Sequence, residues 1–137
     1  MDRKEMECRL HERFSWLDSL DEQNSVLGLV FCKSGWYNLI CEMLTEIEQV
    51  YNSKNLQLKS IDLYEIKEKY GTMQTDVGNC IPEVYEIVER YEAKSEGVCE
   101  VCGAEGSLHD IDEWLMVRCE KCFHERKRRF YKRGLIT

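Results

Sequence analysis

The sequence predicts an α+β chain: a small body of helices and antiparallel strands, then a C-terminal four-cysteine zinc finger of treble-clef or zinc-ribbon type with a basic terminal helix. Three observations carry that expectation. Apolar residues recur at helical spacing over residues 36–51 and 84–91. Residues 56–77 are rich in Ile, Leu, Tyr and Val and partly alternate, as strands do. Four of the eight cysteines fall in two C-x2-C pairs near the C-terminal end. The corresponding division is an acidic body over 1–96, a finger over 97–124 and a basic helix or tail over 125–137.

Taken in order, Met6, Leu10, Phe14, Leu17 and Leu20 recur every three or four residues, which suggests an amphipathic helix over 1–20. Ser34-Gly35 then precedes the clearest helix, in which Trp36, Leu39, Ile40, Met43, Leu44, Ile47, Val50 and Tyr51 form one stripe and Glu42, Glu46 and Gln49 face away. Gly71 is a turn candidate within 56–77, so two or three strands with a hairpin are expected there. Pro82 suits the first turn of a helix, and Val84, Ile87, Val88 and Tyr91 share a face before Gly97 ends it.

Charge separates the end of the chain from the rest. Of 137 residues, 33% are charged and the net charge is −7. Residues 126–137 hold six basic residues and no acidic one, leaving 13 basic and 26 acidic residues, net −13, in the first 125. The longest apolar run, residues 26–32, is far shorter than the ~20 residues a membrane span needs, and the charged opening MDRKEMECRLHERF lacks the apolar core of a signal peptide. A cytoplasmic protein is expected, in which cysteines stay reduced and metal binding is favoured over disulfides.

Cys99-Glu-Val-Cys102, sixteen residues, then Cys119-Glu-Lys-Cys122 matches a structural zinc pattern. Four thiolates close a tetrahedral shell and leave no position for a reacting water. Arg118 and Lys121 are placed to offset the negative cluster, and Gly103 supplies a permissive backbone after the first pair. Iron in the same ligand set is the alternative metal, and His124 a minor alternative ligand. Cys8, Cys32, Cys41 and Cys80 fit no metal spacing and read as buried thiols acting as small hydrophobes. His11 and His109 stand alone and read as surface residues. No nucleophile–base set or phosphate-binding glycine loop is evident, so no catalytic residue, enzyme activity or small-molecule substrate is expected.

After Cys122, FHERKRRFYKR has helical composition. Phe123, Lys127, Phe130 and Tyr131 gather on one side, with Arg126, Arg128, Arg129, Lys132 and Arg133 over the other. Cys119 and Cys122 would then sit at a helix N-terminus, which favours thiolates. A knuckle, a hairpin over 108–117 and such a helix make a treble-clef arrangement. The segment resembles a GATA-type finger in its paired cysteines, its Gly103-Ala104 and its intervening Trp114. It differs in having Phe123 after the last cysteine, where GATA fingers have Gly, and in its acidic Asp110, Asp112 and Glu113.

Gly35-Trp36-Tyr37-Asn38-Leu39-Ile40, Ile66-Lys67-Glu68-Lys69-Tyr70-Gly71 and Cys99-Glu-Val-Cys102-Gly103-Ala104 together resemble a family of small phage and prophage proteins with a GW-x-x-LI helix, a KEKFG-like strand and a CEVCG knuckle. The resemblance spans roughly residues 32–122 and implies a viral or prophage origin and a knuckle-type metal site, but no mechanism. Members often close the site with Cys and His, whereas Cys119 and Cys122 close it here. The expected function is therefore a non-enzymatic, macromolecule-binding zinc protein. Its partner would be nucleic acid, held by Arg126, Arg128, Arg129, Tyr131, Lys132 and Arg133. The alternative is a host defence or transcription protein, inhibited through an acidic surface that includes Glu42, Glu46, Glu48, Glu83, Glu86 and Glu89.

Overall fold

The computed structural model describes residues 1–19 and 28–132. Leu20, Arg133 and the side chain of Tyr131 lie outside the described residues. Helices and two small sheets alternate along the chain. Helix α1 covers Arg3–Arg13 and is capped by Asp2, whose carboxylate accepts from the Glu5 amide at 2.8 Å. It stops earlier than the periodicity suggests, because a 3-10 turn at Ser15–Ser19 carries Trp16 and Leu17 into the core instead. A spacing of three residues suits both helix types, so the apolar pattern alone does not separate them.

The first sheet has the order β1-β2-β3, with β1 at Val30–Phe31, β2 at Asp62–Lys69 and β3 at Thr72–Gly78. β2 and β3 form the hairpin expected around Gly71; Tyr70 (φ 54°) and Gly71 (φ 82°) supply the left-handed backbone that a two-residue turn requires. β1 corrects the all-antiparallel expectation, since it runs parallel to β2 with Val30 opposite Ile66. The intervening chain forms helix α2, Tyr37–Ser53, which turns Leu39, Ile40, Met43, Leu44, Ile47 and Tyr51 inward as its stripe dictates. Helix α3, Pro82–Ser95, opens with its proline where no amide partner is needed, and packs Val84, Ile87, Val88 and Tyr91 into the same core.

Helix side chains close both outer edges of this sheet. On the β3 side, the amides of Met73 and Thr75 donate to Ser95 Oγ and Glu92 Oε2, each at 3.0 Å. On the β1 side, Glu7 of α1 accepts from the amides of Leu29, at 3.0 Å, and Val30, while Arg3 donates to the Val30 carbonyl. Glu7 is only 1% exposed, and it also lies 3.4 Å from the Nε2 atom of His11. His11 is accordingly half-buried rather than a plain surface residue. A buried carboxylate standing in for a strand leaves two amides orphaned when removed. Glu7→Ala is expected to cost about 2–4 kcal/mol in urea unfolding at unchanged slope, and Glu7→Gln clearly less, because an amide oxygen can still accept. Equal losses for the two variants would show that the carboxylate does not hold this edge.

Candidate metal centre

The first cysteine pair sits in a knuckle that the backbone closes on itself. Cys99 donates its amide to Ala104 at 2.8 Å and accepts on its carbonyl from Gly103 at 2.9 Å, with Gly103 at φ 82°. A left-handed residue at this position turns the chain back within reach of Cys99, and glycine adopts it without strain. Gly106 then leads into β4, Ser107–Ile111, paired with β5, Trp114–Arg118, through a tight turn with Asp112 and Glu113 both at positive φ. Asp110 Oδ1 steadies that turn by accepting from the Glu113 amide at 2.8 Å. One residue after β5 comes Cys119, and helix α4, Glu120–Lys132, starts directly behind it. The second pair therefore lies at a helix N-terminus, where the Cys122 amide points at the Cys119 sulfur at 3.4 Å.

These elements bring Cys99, Cys102, Cys119 and Cys122 together, with all four sulfurs within 4.8 Å of one another. The Cys102 and Cys119 sulfurs are 3.7 Å apart. A tetrahedral site with metal–sulfur bonds of ~2.3 Å has sulfur–sulfur edges of ~3.8 Å, whereas a disulfide would need ~2.05 Å. The spacing is that of four ligands around one ion, and all four cysteines are free of disulfides. Burial pushes the Cys99 thiol up, but amides of Cys102, Cys119 and Val101 aimed at its sulfur outweigh that and bring it down to about 7. Cys122 is driven the other way, by burial first and then by the neighbouring thiols. Deprotonating all four thiols needs a cation among them, which a divalent metal would supply.

The centre is built onto the body. Gly35 donates its amide to the Glu100 carbonyl at 2.7 Å, and Trp36, fully buried, donates its indole N–H to the Val98 carbonyl at 2.8 Å. Lys33 donates its amide to Glu100 Oε2 at 3.2 Å, and the Glu100 amide donates to Val117 of β5 at 3.0 Å. Glu100 is 6% exposed, and burial raises its carboxyl despite the Lys33 amide. At the β2–β3 turn, Gly71 faces Leu108 and the backbone of β5, and Val117 joins the core of the body. Of the three stretches that carry the resemblance, Gly35-Trp36 meets the knuckle at Val98 and Glu100, whereas Gly71 meets the finger elsewhere, at Leu108 and β5. No family model, curated protein or solved structure matches the chain.

His124 is not part of the cysteine cluster; it is exposed and pairs with Glu120 at 3.3 Å. His109, expected at the surface, is half-buried and stacks on Phe123 with ring centroids 3.9 Å apart. Cys32 and Cys41 are buried, Cys80 is half-buried and Cys8 is exposed, so the small-hydrophobe reading fails for Cys8. The Cys32 thiol is raised to about 12, by burial first and then by the charges of Glu100, Glu68 and Glu7, which makes it inert. Among the acidic residues, Glu46 and Glu83 are not plainly solvated, being paired with Arg90 at 2.7 Å and Lys54 at 2.9 Å. Glu42, Glu86 and Glu89 are exposed, and Glu48 is half-buried.

Cys122 is buried and marks the side of α4 that faces inward. One and two turns on, Arg126 and Phe130 are half-buried, and the Arg126 guanidinium lies 4.5 Å above the Phe130 ring. This exchanges Arg126 with Lys127, which is exposed, relative to the expected faces. Arg128, Arg129 and Lys132 are exposed as expected. Glu7, Gly35 and Glu100 had no sequence signal as structural residues beyond the motif in which Gly35 and Glu100 stand. Among the described residues, no helix is long and apolar enough to cross a membrane.

Proposed function

We propose that this is a non-enzymatic zinc protein whose treble-clef finger presents α4 to the phosphates of a nucleic acid, acting as a regulator in a phage or prophage setting. One observation carries the nucleic-acid reading. Arg128, Arg129 and Lys132 stand close together on one helix and pair with no carboxylate among the described residues, whereas the body's cations are either held in ion pairs (Arg9, Lys54, Lys67, Arg90) or, like Lys4, Lys33, Lys69 and Lys94, stand on separate elements. An acidic chain that leaves a cluster of cations unneutralised on one helix offers it to an anionic partner. Zinc would join the knuckle to the start of that helix and fix its direction; with four thiolate ligands it would keep no open position for catalysis. The acidic-surface alternative has less support, because Glu46 and Glu83 already hold basic partners within the chain.

Binding to oligonucleotides should weaken steeply with salt, with a log–log slope of about −2 to −4 from roughly three to five phosphate contacts. Replacing Arg128, Arg129 and Lys132 by Gln should flatten that slope by about 2–3 and abolish binding at physiological salt. An unchanged slope in the triple variant, or no binding by the zinc-loaded chain at low salt, would remove this reading.

A further inference from the structure

We infer that Trp114 and the outer side of α4 form a single-stranded nucleic-acid site, in which one unpaired base stacks on the indole while adjacent phosphates contact Arg128, Arg129 and Lys132. The inference rests on the nucleic-acid reading above and narrows it to one form of the polymer. It begins from an unequal treatment of three tryptophans: Trp16 and Trp36 are 6% and 0% exposed, and Trp114 is 63% exposed. An indole left in water on a small domain is available to a partner with a flat apolar face.

Strand register places Trp114 relative to the cations. Trp114 pairs with Ile111 and Met116 with His109, so these four side chains share one face of the β4–β5 hairpin. The His109–Phe123 stack shows that α4 covers that face. Ile111 and Met116 on that face are 5% and 2% exposed although the hairpin has only two strands, so a neighbouring element covers the face as far as the turn. Helix α4, which reaches the face at Phe123, is placed to do so and to carry its cationic turns toward the Trp114 end. Stacking surface and charge are thus combined on one finger, the combination that single-strand binders use.

The turn itself selects against a duplex. Asp112 and Glu113 are both exposed beside Trp114, and a double helix laid across the finger would bring a second phosphate row toward them. Its bases are also stacked on each other and unavailable to an indole. A single strand can turn a base toward Trp114 and keep its phosphates over α4.

The emission of Trp114 provides the test, since the two buried indoles are shielded from a bound strand. Zinc-loaded full-length chain would be titrated at low salt with a 12-nucleotide oligo(dT), with a 12-base-pair duplex and with poly-glutamate, in the parent and in Trp114→Leu and Trp114→Tyr. The single strand should quench emission in the parent and bind more tightly than the duplex; Trp114→Leu should weaken it by about 5- to 150-fold, the loss of one base stack. Trp114→Tyr should restore most of the affinity. If the single strand binds, loses affinity when the α4 cations are replaced, yet is indifferent to Trp114→Leu, this inference fails and the nucleic-acid reading stands. Binding of poly-glutamate as tight as that of oligo(dT) overturns both in favour of an acidic protein partner, and no binding of any probe also overturns both.

Discussion

Removing the metal should unfold residues 97–132 and loosen the body with them. Structural zinc is worth on the order of 10–16 kcal/mol in small fingers, far more than the packing of Ile111 and Met116 behind the hairpin can replace. Without a cation, four clustered thiols must take protons back, and Cys99 and Cys122 would then sit as neutral groups in a cavity shaped for an ion. The loss spreads because the body leans on the knuckle: Trp36, Gly35 and Lys33 would each lose a backbone or carboxylate partner there. Chelation, confirmed by elemental analysis that also names the metal, should remove helical and hairpin signal from circular dichroism and lower the thermal midpoint. Restoring free metal to 1,000 times its dissociation constant should return about 4 kcal/mol of stability. Cys99→Ser and Cys122→Ser should behave like the chelated protein, while Cys8→Ser, at an exposed site, should leave stability unchanged. A metal-free chain that keeps its midpoint and spectrum would show that the cluster is not a structural site.

What the sequence makes legible here is local periodicity and local spacing. α2 and α3 follow from an apolar stripe that only a 3.6-residue period explains, and the stripe residues are buried apart from Val50, which is half-buried, with Cys41 and Ser95 buried beside them. The four ligands follow from two C-x2-C pairs, and the hairpin between them from its length and position. What resists reading is non-local. β1 is two residues long and becomes a strand only because Ile66, 36 positions away, pairs beside Val30. Glu7 reads as one more exposed helical acid until the unpaired amides of Leu29 and Val30 give it work. His109 is hidden by Phe123, and Arg126 turns inward one turn after the buried Cys122, where the charge of the segment alone places it outside. The junction between body and finger is the plainest case: the Gly35-Trp36 and Cys99–Gly103 stretches are each visible alone, and nothing in their spacing says that they touch.

Gly35→Ala should be among the most damaging single changes in the chain, although it adds one carbon. A Cβ at Gly35 would lie under 3.0 Å from the carbonyl oxygen of Cys99 and from the carbonyl of Glu100. Those atoms are backbone of the knuckle, held by the Gly103, Gly35 and Ala104 hydrogen bonds, so they cannot swing aside as the end of a side chain would. Relief requires the turn at Ser34–Trp36 and the knuckle to separate, which breaks the Gly35–Glu100 and Trp36–Val98 hydrogen bonds together and uncovers a fully buried tryptophan. Overpacking that side chains absorb costs about 1–3 kcal/mol; a rigid clash that also breaks two buried hydrogen bonds should exceed it, at about 3–5 kcal/mol. Gly78→Ala is the matched control, since its nearest neighbour is the Tyr64 ring at 3.6 Å, an ordinary contact. Because the same contact positions Cys99, Gly35→Ala should also weaken metal retention against a competing chelator, and Gly78→Ala should not. Full stability with full metal retention in Gly35→Ala would mean that the knuckle stands clear of the body, and the coupling between metal and body expected above would fall with it.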